Sequence, residues 1–126
     1  MLREKFSKQL VVNPSELVTT SADENFLRKA LQAVEKNMDN DQFGADEFCT
    51  AVTMSRANVH RKLKALTGQS TSEFIRTIRL KRAAQLLLQK TGSVSEIAYE
   101  TGFNNLSYFT RCFKEVYGVM PSEFAT

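Results

Sequence analysis

The sequence predicts an all-α protein: two helix-turn-helix units joined by a long central helix. Three observations carry this. The stretch Ser70–Lys90, STSEFIRTIRLKRAAQLLLQK, keeps a helical period but changes its apolar face partway along. An offset of 50 aligns SRANVHRKLKALTGQSTSEF with NLSYFTRCFKEVYGVMPSEF, so Arg61 meets Arg111, Lys64 meets Lys114, Gly68 meets Gly118 and Phe74 meets Phe124. Upstream, Phe48-Cys49 meets Ile97-Ala98 at an offset of 49, which makes the second turn one residue longer. A fixed-period match of this kind marks one supersecondary unit used twice.

In chain order, residues 1–20 show no clean period, contain Pro14 and are expected to be a linker or arm from an upstream domain. A start at LREKFSKQL, with no domain before it, suggests a piece of a longer chain. The second segment, 21–126, divides into a first unit (21–69), the linker helix (70–91) and a second unit (92–126). Ser21 and Glu24 fit a capping box, in which each side chain satisfies a backbone N–H at the helix start. Phe26, Leu27, Ala30, Leu31, Val34 and Met38 keep the period to about Asp39. A short helix near Ala45–Val52 follows, then a turn, then a helix from Ser55 to Thr67 closed by Gly68. These are the dimensions of a helix-turn-helix.

Ser70 and Glu73 cap the long helix, and Gly92 is its expected stop. With Phe74 at zero and about 100° per residue, Phe74, Ile75 and Ile78 share one side of the wheel. Leu80, Ala83, Ala84, Leu86, Leu87 and Leu88 are assigned to the other. The two ends therefore bury against different bodies, with the helix as a spacer. Ser93 and Glu96 cap the next short helix, Gly102 turns the chain, and a helix runs from about Asn105 to Tyr117, closed by Gly118. Pro121 opens a last turn, PSEF.

The net charge is only +3, yet its distribution is uneven. Residues 1–53 carry six basic and nine acidic residues, 54–95 nine basic and one acidic, and 96–126 two basic and four acidic. A central block of net +8 points to a polyanion partner, or to a solvated basic surface. Two cysteines and one histidine cannot build a structural zinc site, which takes four ligands. Cys49 and Cys112 sit in apolar helical settings and read as buried free thiols rather than a disulfide. No apolar run approaches the roughly 18–20 residues of a membrane span, and the N-terminus lacks a signal-peptide core. No catalytic triad or carboxylate pair converges at helical spacing, so an enzyme is not expected. No cofactor, metal or small-molecule ligand is implied.

The chemistry falls on the second helix of each unit. Val59, Leu63 and Leu66 form an inward stripe, leaving Ala57, His60, Arg61 and Lys64 outside at helical spacing. Phe109, Phe113 and Val116 repeat the stripe, with Ser107, Thr110, Arg111 and Lys114 outside. A helix fits the DNA major groove, Arg pairs with guanine O6 and N7, Ser and Thr bond several base edges, and Ala meets the thymine methyl. Lys62, Lys64 and Lys114 suit phosphates, as do Ser55 and Asn105 at the helix starts. By spacing Leu106 joins the Phe109 stripe and is expected in the core, with Phe103, Phe109, Phe113 and Phe124. Asn58 and Tyr108 lie on flanks and receive no role.

The segment ANVHRKLKALTG…EFIRTIRLKRAAQLL…SVSEIAYETGFNNLSYFTRCFKEVYGVMPSEF resembles the AraC-type DNA-binding domain over about residues 44–125. The resemblance implies transcription regulation, often activation, on double-stranded DNA, with RNA polymerase as a partner. It supports base contacts from Ala57, His60, Arg61, Ser107, Thr110 and Arg111, and allows Leu106 a place near the DNA. Ala125 stands where the family often has Arg. The leading part, LREKFSKQL…DENFLRKALQAVEKNMD, is similar to the region joining a receiver to this module in Bacteroidetes hybrid two-component regulators. That implies receiver and sensor kinase domains in the full-length chain, a cytoplasmic location and a parent anchored in the inner membrane. The rival reading is an all-α protein-interaction module, or an architectural module that binds DNA without sequence preference.

Overall fold

The computed structural model describes residues 20–124. It contains α1 (Ser21–Lys36), α2 (Ala45–Ala51), α3 (Arg56–Thr67), α4 (Thr71–Gln89), α5 (Val94–Glu100), α6 (Leu106–Tyr117) and α7 (Pro121–Phe124), with no strand among the described residues. The expected arm and Ala125 lie outside the described residues, except Thr20.

Thr20, not Ser21, caps α1. The Asp23 N–H donates to Thr20 Oγ1 at 3.1 Å and the Thr20 N–H to Asp23 Oδ2 at 3.3 Å, so the capping box closes one residue earlier than expected. The helix also ends earlier, at Lys36. Asn37 takes the cap position, and its side-chain amide donates to the Ala33 carbonyl at 2.8 Å, turning the chain before Asp39. The other predicted boxes close as expected: Ser70 with Glu73 and Ser93 with Glu96, each donating its N–H to the glutamate at 2.9 Å. Gly92 does not stop α4. Lys90 does, at φ 55°, with the Thr91 N–H donating to the Leu86 carbonyl at 3.3 Å. The left-handed residue falls directly after the last helical turn, two positions before the glycine.

Two hydrophobic clusters form, and α4 contributes to both. Phe74, Ile75 and Ile78 join Leu27, Val34, Phe48, Val59 and Leu63 in the first. Leu80, Ala83, Ala84, Leu86 and Leu87 join Ile97, Ala98, Phe103, Phe109 and Phe113 in the second. Helix α4 therefore closes the first unit and opens the second. Leu88 is an exception at 61% exposed. It returns to about 320° on the wheel, away from the second cluster. Cys49 and Cys112 are buried and free.

The repeat is visible in the backbone. Helices α3 and α6 each have 12 residues and end on left-handed glycines, Gly68 at φ 76° and Gly118 at φ 80°. Helices α2 and α5 each have 7 residues. The turns after them pass through Thr53 at φ 56° and Gly102 at φ 86°.

The spacer expectation needs one amendment, because Arg79 ties the units together. This buried guanidinium donates from Nη1 to the Gly102 carbonyl at 2.8 Å, and from Nη2 to the carbonyls of Asn40 at 2.8 Å and Phe43 at 3.3 Å. The loop before α2 and the turn after α5 are thus fastened to one residue of α4. Burial pushes the guanidinium pKa below its usual value, and the Asp41 carboxylate opposes that shift. A Cβ on Gly102 would lie 2.2 Å from Arg79 Nη1, so both the close approach and the positive φ demand glycine.

Candidate nucleic-acid interface

Helices α3 and α6 begin alike. The Asn58 N–H donates to Ser55 Oγ at 3.2 Å, and the Tyr108 N–H to Asn105 Oδ1 at 2.8 Å. The inward stripes lie where the spacing predicts, with Val59, Leu63, Phe109 and Phe113 buried and Leu66 and Val116 packed at the cluster edges. Ala57, His60, Arg61 and Lys64 are exposed on the opposite side of α3. Ser107, Arg111 and Lys114 are exposed on α6, and Thr110 is half-buried.

Each arginine is steadied by the residue three positions before it. Arg61 Nη2 donates to Asn58 Oδ1. The Arg111 guanidinium lies over the Tyr108 ring, 5.5 Å from its centroid. Residues three apart on a helix are surface neighbours, which explains both contacts. Asn58 and Tyr108 match at the offset of 50, and that match was the available signal for a shared duty. An arginine held in this way loses less side-chain freedom when it binds.

Two predicted residues lie differently. Leu106 is 39% exposed and absent from the second cluster. Leu106 is the first residue of α6, where the second cluster does not reach, so spacing alone misplaced it. Lys62 turns toward α1, where Nζ reaches Asp23 Oδ1 at 3.0 Å and sits 5.4 Å from the Phe26 ring centroid. Its charge is used inside the first unit, away from the face carrying Ala57, His60, Arg61 and Lys64. Ser55 and Asn105 spend an oxygen on capping, and the Ser55 hydroxyl proton and the Asn105 amide group remain as donors for an anion at the helix start.

No group of three or more His, Cys, Asp or Glu residues among the described residues could hold a metal ion. No helix among them is long and apolar enough to cross a membrane.

Residues 48–126 match the family described as a helix-turn-helix domain. Histidine kinase P4 of Formosa agariphila is 42% identical over 123 residues, which cover 98% of this chain and 9% of that protein. The C-terminal domain of AraT, a response regulator from Geobacillus stearothermophilus, superposes with a TM-score of 0.71 at 27% identity, over 79% of this chain and 83% of that one. A transcriptional regulator of the AraC-type DNA-binding-domain class from Chromobacterium violaceum superposes with a TM-score of 0.75 at 25% identity, over 84% and 94% of the two chains. The sequence match covers α3, α4 and α6, and the structural matches share the two-unit arrangement. The chain belongs to the AraC-type helix-turn-helix DNA-binding domains, a non-catalytic family of transcription-regulator domains.

Proposed function

We propose that this chain is the sequence-reading output segment of a two-component transcription regulator, and that it binds duplex DNA with α3 and α6 in successive major grooves. The observation that carries this is the pair Arg61 and Arg111. They lie on matching outer faces of a repeated unit, each steadied from the i−3 position. Ala57, His60, Arg61, Ser107, Thr110 and Arg111 read base edges. Lys64, Lys114, Ser55 and Asn105 hold phosphates, and Lys62 is a weaker candidate because Asp23 already pairs it. The family resemblance carries the finer reading of activation, with RNA polymerase as a partner. The kinase relative supports sensor and receiver domains elsewhere in the parent chain and a cytoplasmic position for this segment.

Selection of bound duplexes from a random pool tests the reading. A recovered pair of half-sites about one helical turn apart, with affinity falling steeply in salt, is expected. Binding without sequence preference would favour an architectural module instead. A run-off transcription assay on the selected site then separates activation from repression.

A further inference from the structure

The two units leave a cleft of about 250 Å³ between them, bordered by Asp41, Ser72, Arg76, Asn104 and Tyr108, with Arg79 at its base. Arg76 Nη1 donates across this cleft to Tyr108 Oη at 3.3 Å. The cleft adjoins the reading face of α3, because Ser72 also lines a neighbouring hollow with Ala57 and His60. On its other side Tyr108 carries the Arg111 guanidinium on its ring. Arg76 therefore lines a cleft that lies between the hollow holding Ala57 and His60 and the Tyr108 side chain that holds Arg111.

We infer that Arg76 and Tyr108 form a seat for a DNA backbone phosphate between the two half-sites, a contact separate from both recognition helices. The inference rests on the duplex-binding reading above. Two major grooves presented on one side of a duplex are roughly 34 Å apart. A minor groove about 6 Å wide, edged by its two phosphate rails, lies between them. A cation in the cleft between the two units is placed to meet those rails. Neither Arg76 nor Arg111 makes an ion pair among the described residues. Arg79 is already committed to carbonyls, so Arg76 is the cation at the cleft with capacity to spare. The nearby acids are Asp41 on the rim and Glu73, whose carboxylate is held mainly by the Ser70 N–H at 2.9 Å and interacts with Arg76 only through its charge, with no ion pair formed. The cleft is smaller than the roughly 300–1,000 Å³ of sites for drug-sized ligands, and it is open, which suits a single phosphate group. Tyr108 acts as a positioning residue: its hydroxyl steadies Arg76 and its ring steadies Arg111.

The test uses the chain and a duplex from the selection above, with single neutral methylphosphonate linkages walked through the spacer. The wild-type chain is expected to lose about tenfold in affinity at one or two adjacent spacer positions, the scale of one charge-assisted bond. Arg76→Gln should show that loss on unmodified DNA and no further loss on the modified duplex. Its salt slope should fall by about 1, with the preferred half-site bases unchanged. Arg76→Lys should recover part of the affinity, and Tyr108→Phe should weaken the spacer effect. Wild-type binding indifferent to every spacer linkage would overturn the inference even if a variant failed to fold. So would equal methylphosphonate losses in wild type and Arg76→Gln. Failure to select any preferred duplex would instead overturn the reading on which this one rests.

Discussion

Arg61 and Arg111 occupy equivalent places, yet their electrostatic surroundings differ. Arg61 lies in the basic block, whereas the second unit carries Glu96, Glu100, Glu115 and Glu123. Arg61→Ala should cost roughly 1–3 kcal/mol of binding, relax preference at one base position, and cost more than Arg111→Ala. Anisotropy titrations against single-base variants of the selected site measure both. A uniform loss across all bases would make Arg61 a phosphate contact, and a larger loss at Arg111 would overturn the charge argument. Arg79 works at the same scale with a different result. Arg79→Ala leaves the carbonyls of Gly102 and Phe43 without that donor, while the Asn40 carbonyl keeps the Phe43 N–H at 3.1 Å. Each buried acceptor left without a partner costs about 1–3 kcal/mol, so a marked drop in the urea midpoint is expected. Gly102→Ala should resemble it, because the added methyl would displace the guanidinium.

Helix starts carry much of the element-scale stability. Asp23, Glu47, Glu73 and Glu96 each accept a backbone N–H at a helix start, and those bonds hold their carboxyl pKa values below the ordinary 3.8 and 4.5; for Asp23 the Lys62 ammonium is the largest cause. A carboxyl depressed on folding lends stability that is complete above its unfolded pKa and is lost as pH falls through its folded one. The urea midpoint should therefore be insensitive to these groups near neutrality and fall below about pH 4.5. Thr20→Ala, which cannot accept the Asp23 N–H, should lose about 1 kcal/mol at neutral pH. Helix α4 is the other element with a global effect. Its 19 residues span roughly 28 Å at about 1.5 Å each, close to the groove repeat. Two alanines inserted between Arg79 and Leu80 would turn the second unit by about 200° and shift it by about 3 Å. The insertion also carries Gly102 away from Arg79. Helicity should survive in circular dichroism while footprinting shows one half-site protected. Protection of both half-sites at unchanged spacing would mean that α4 is a flexible tether.

At the scale of the whole molecule, two units in one chain stand in, on the proposed reading, for the symmetric pair that other helix-turn-helix proteins form by dimerising. One chain should thus protect one face of the duplex over two neighbouring major grooves. Sedimentation equilibrium with a short selected duplex should give one chain per DNA, and a strict two-chain complex would contradict this. The joint at Arg79 and the Arg76–Tyr108 bond make the relative pose of the units a property of the fold.

Periodicity in the sequence determined much of this protein by itself. The offset of 50 gave both recognition helices, their glycine stops and their inward stripes, because a buried face must recur at the helical repeat wherever it occurs. The change of apolar face along α4 gave two hydrophobic clusters for the same reason. Local rules were weaker at the ends of elements. They put the first cap on Ser21 rather than Thr20, and the stop of α4 on Gly92 rather than Lys90, because neighbouring residues compete for one backbone position at similar cost. Spacing assigned Leu106 to a stripe that does not cover it, since a period says nothing of where the partner surface ends, whereas Leu88 was grouped with the second face although its wheel angle of about 320° lies away from it. Only the tertiary structure decided how the units meet. Arg79 gathers carbonyls from loops 23 to 42 residues away, and no linear pattern marks a backbone acceptor. Likewise Arg76 meets Tyr108 at a separation of 32 residues, through side chains that α4 and the start of α6 extend into the same cleft.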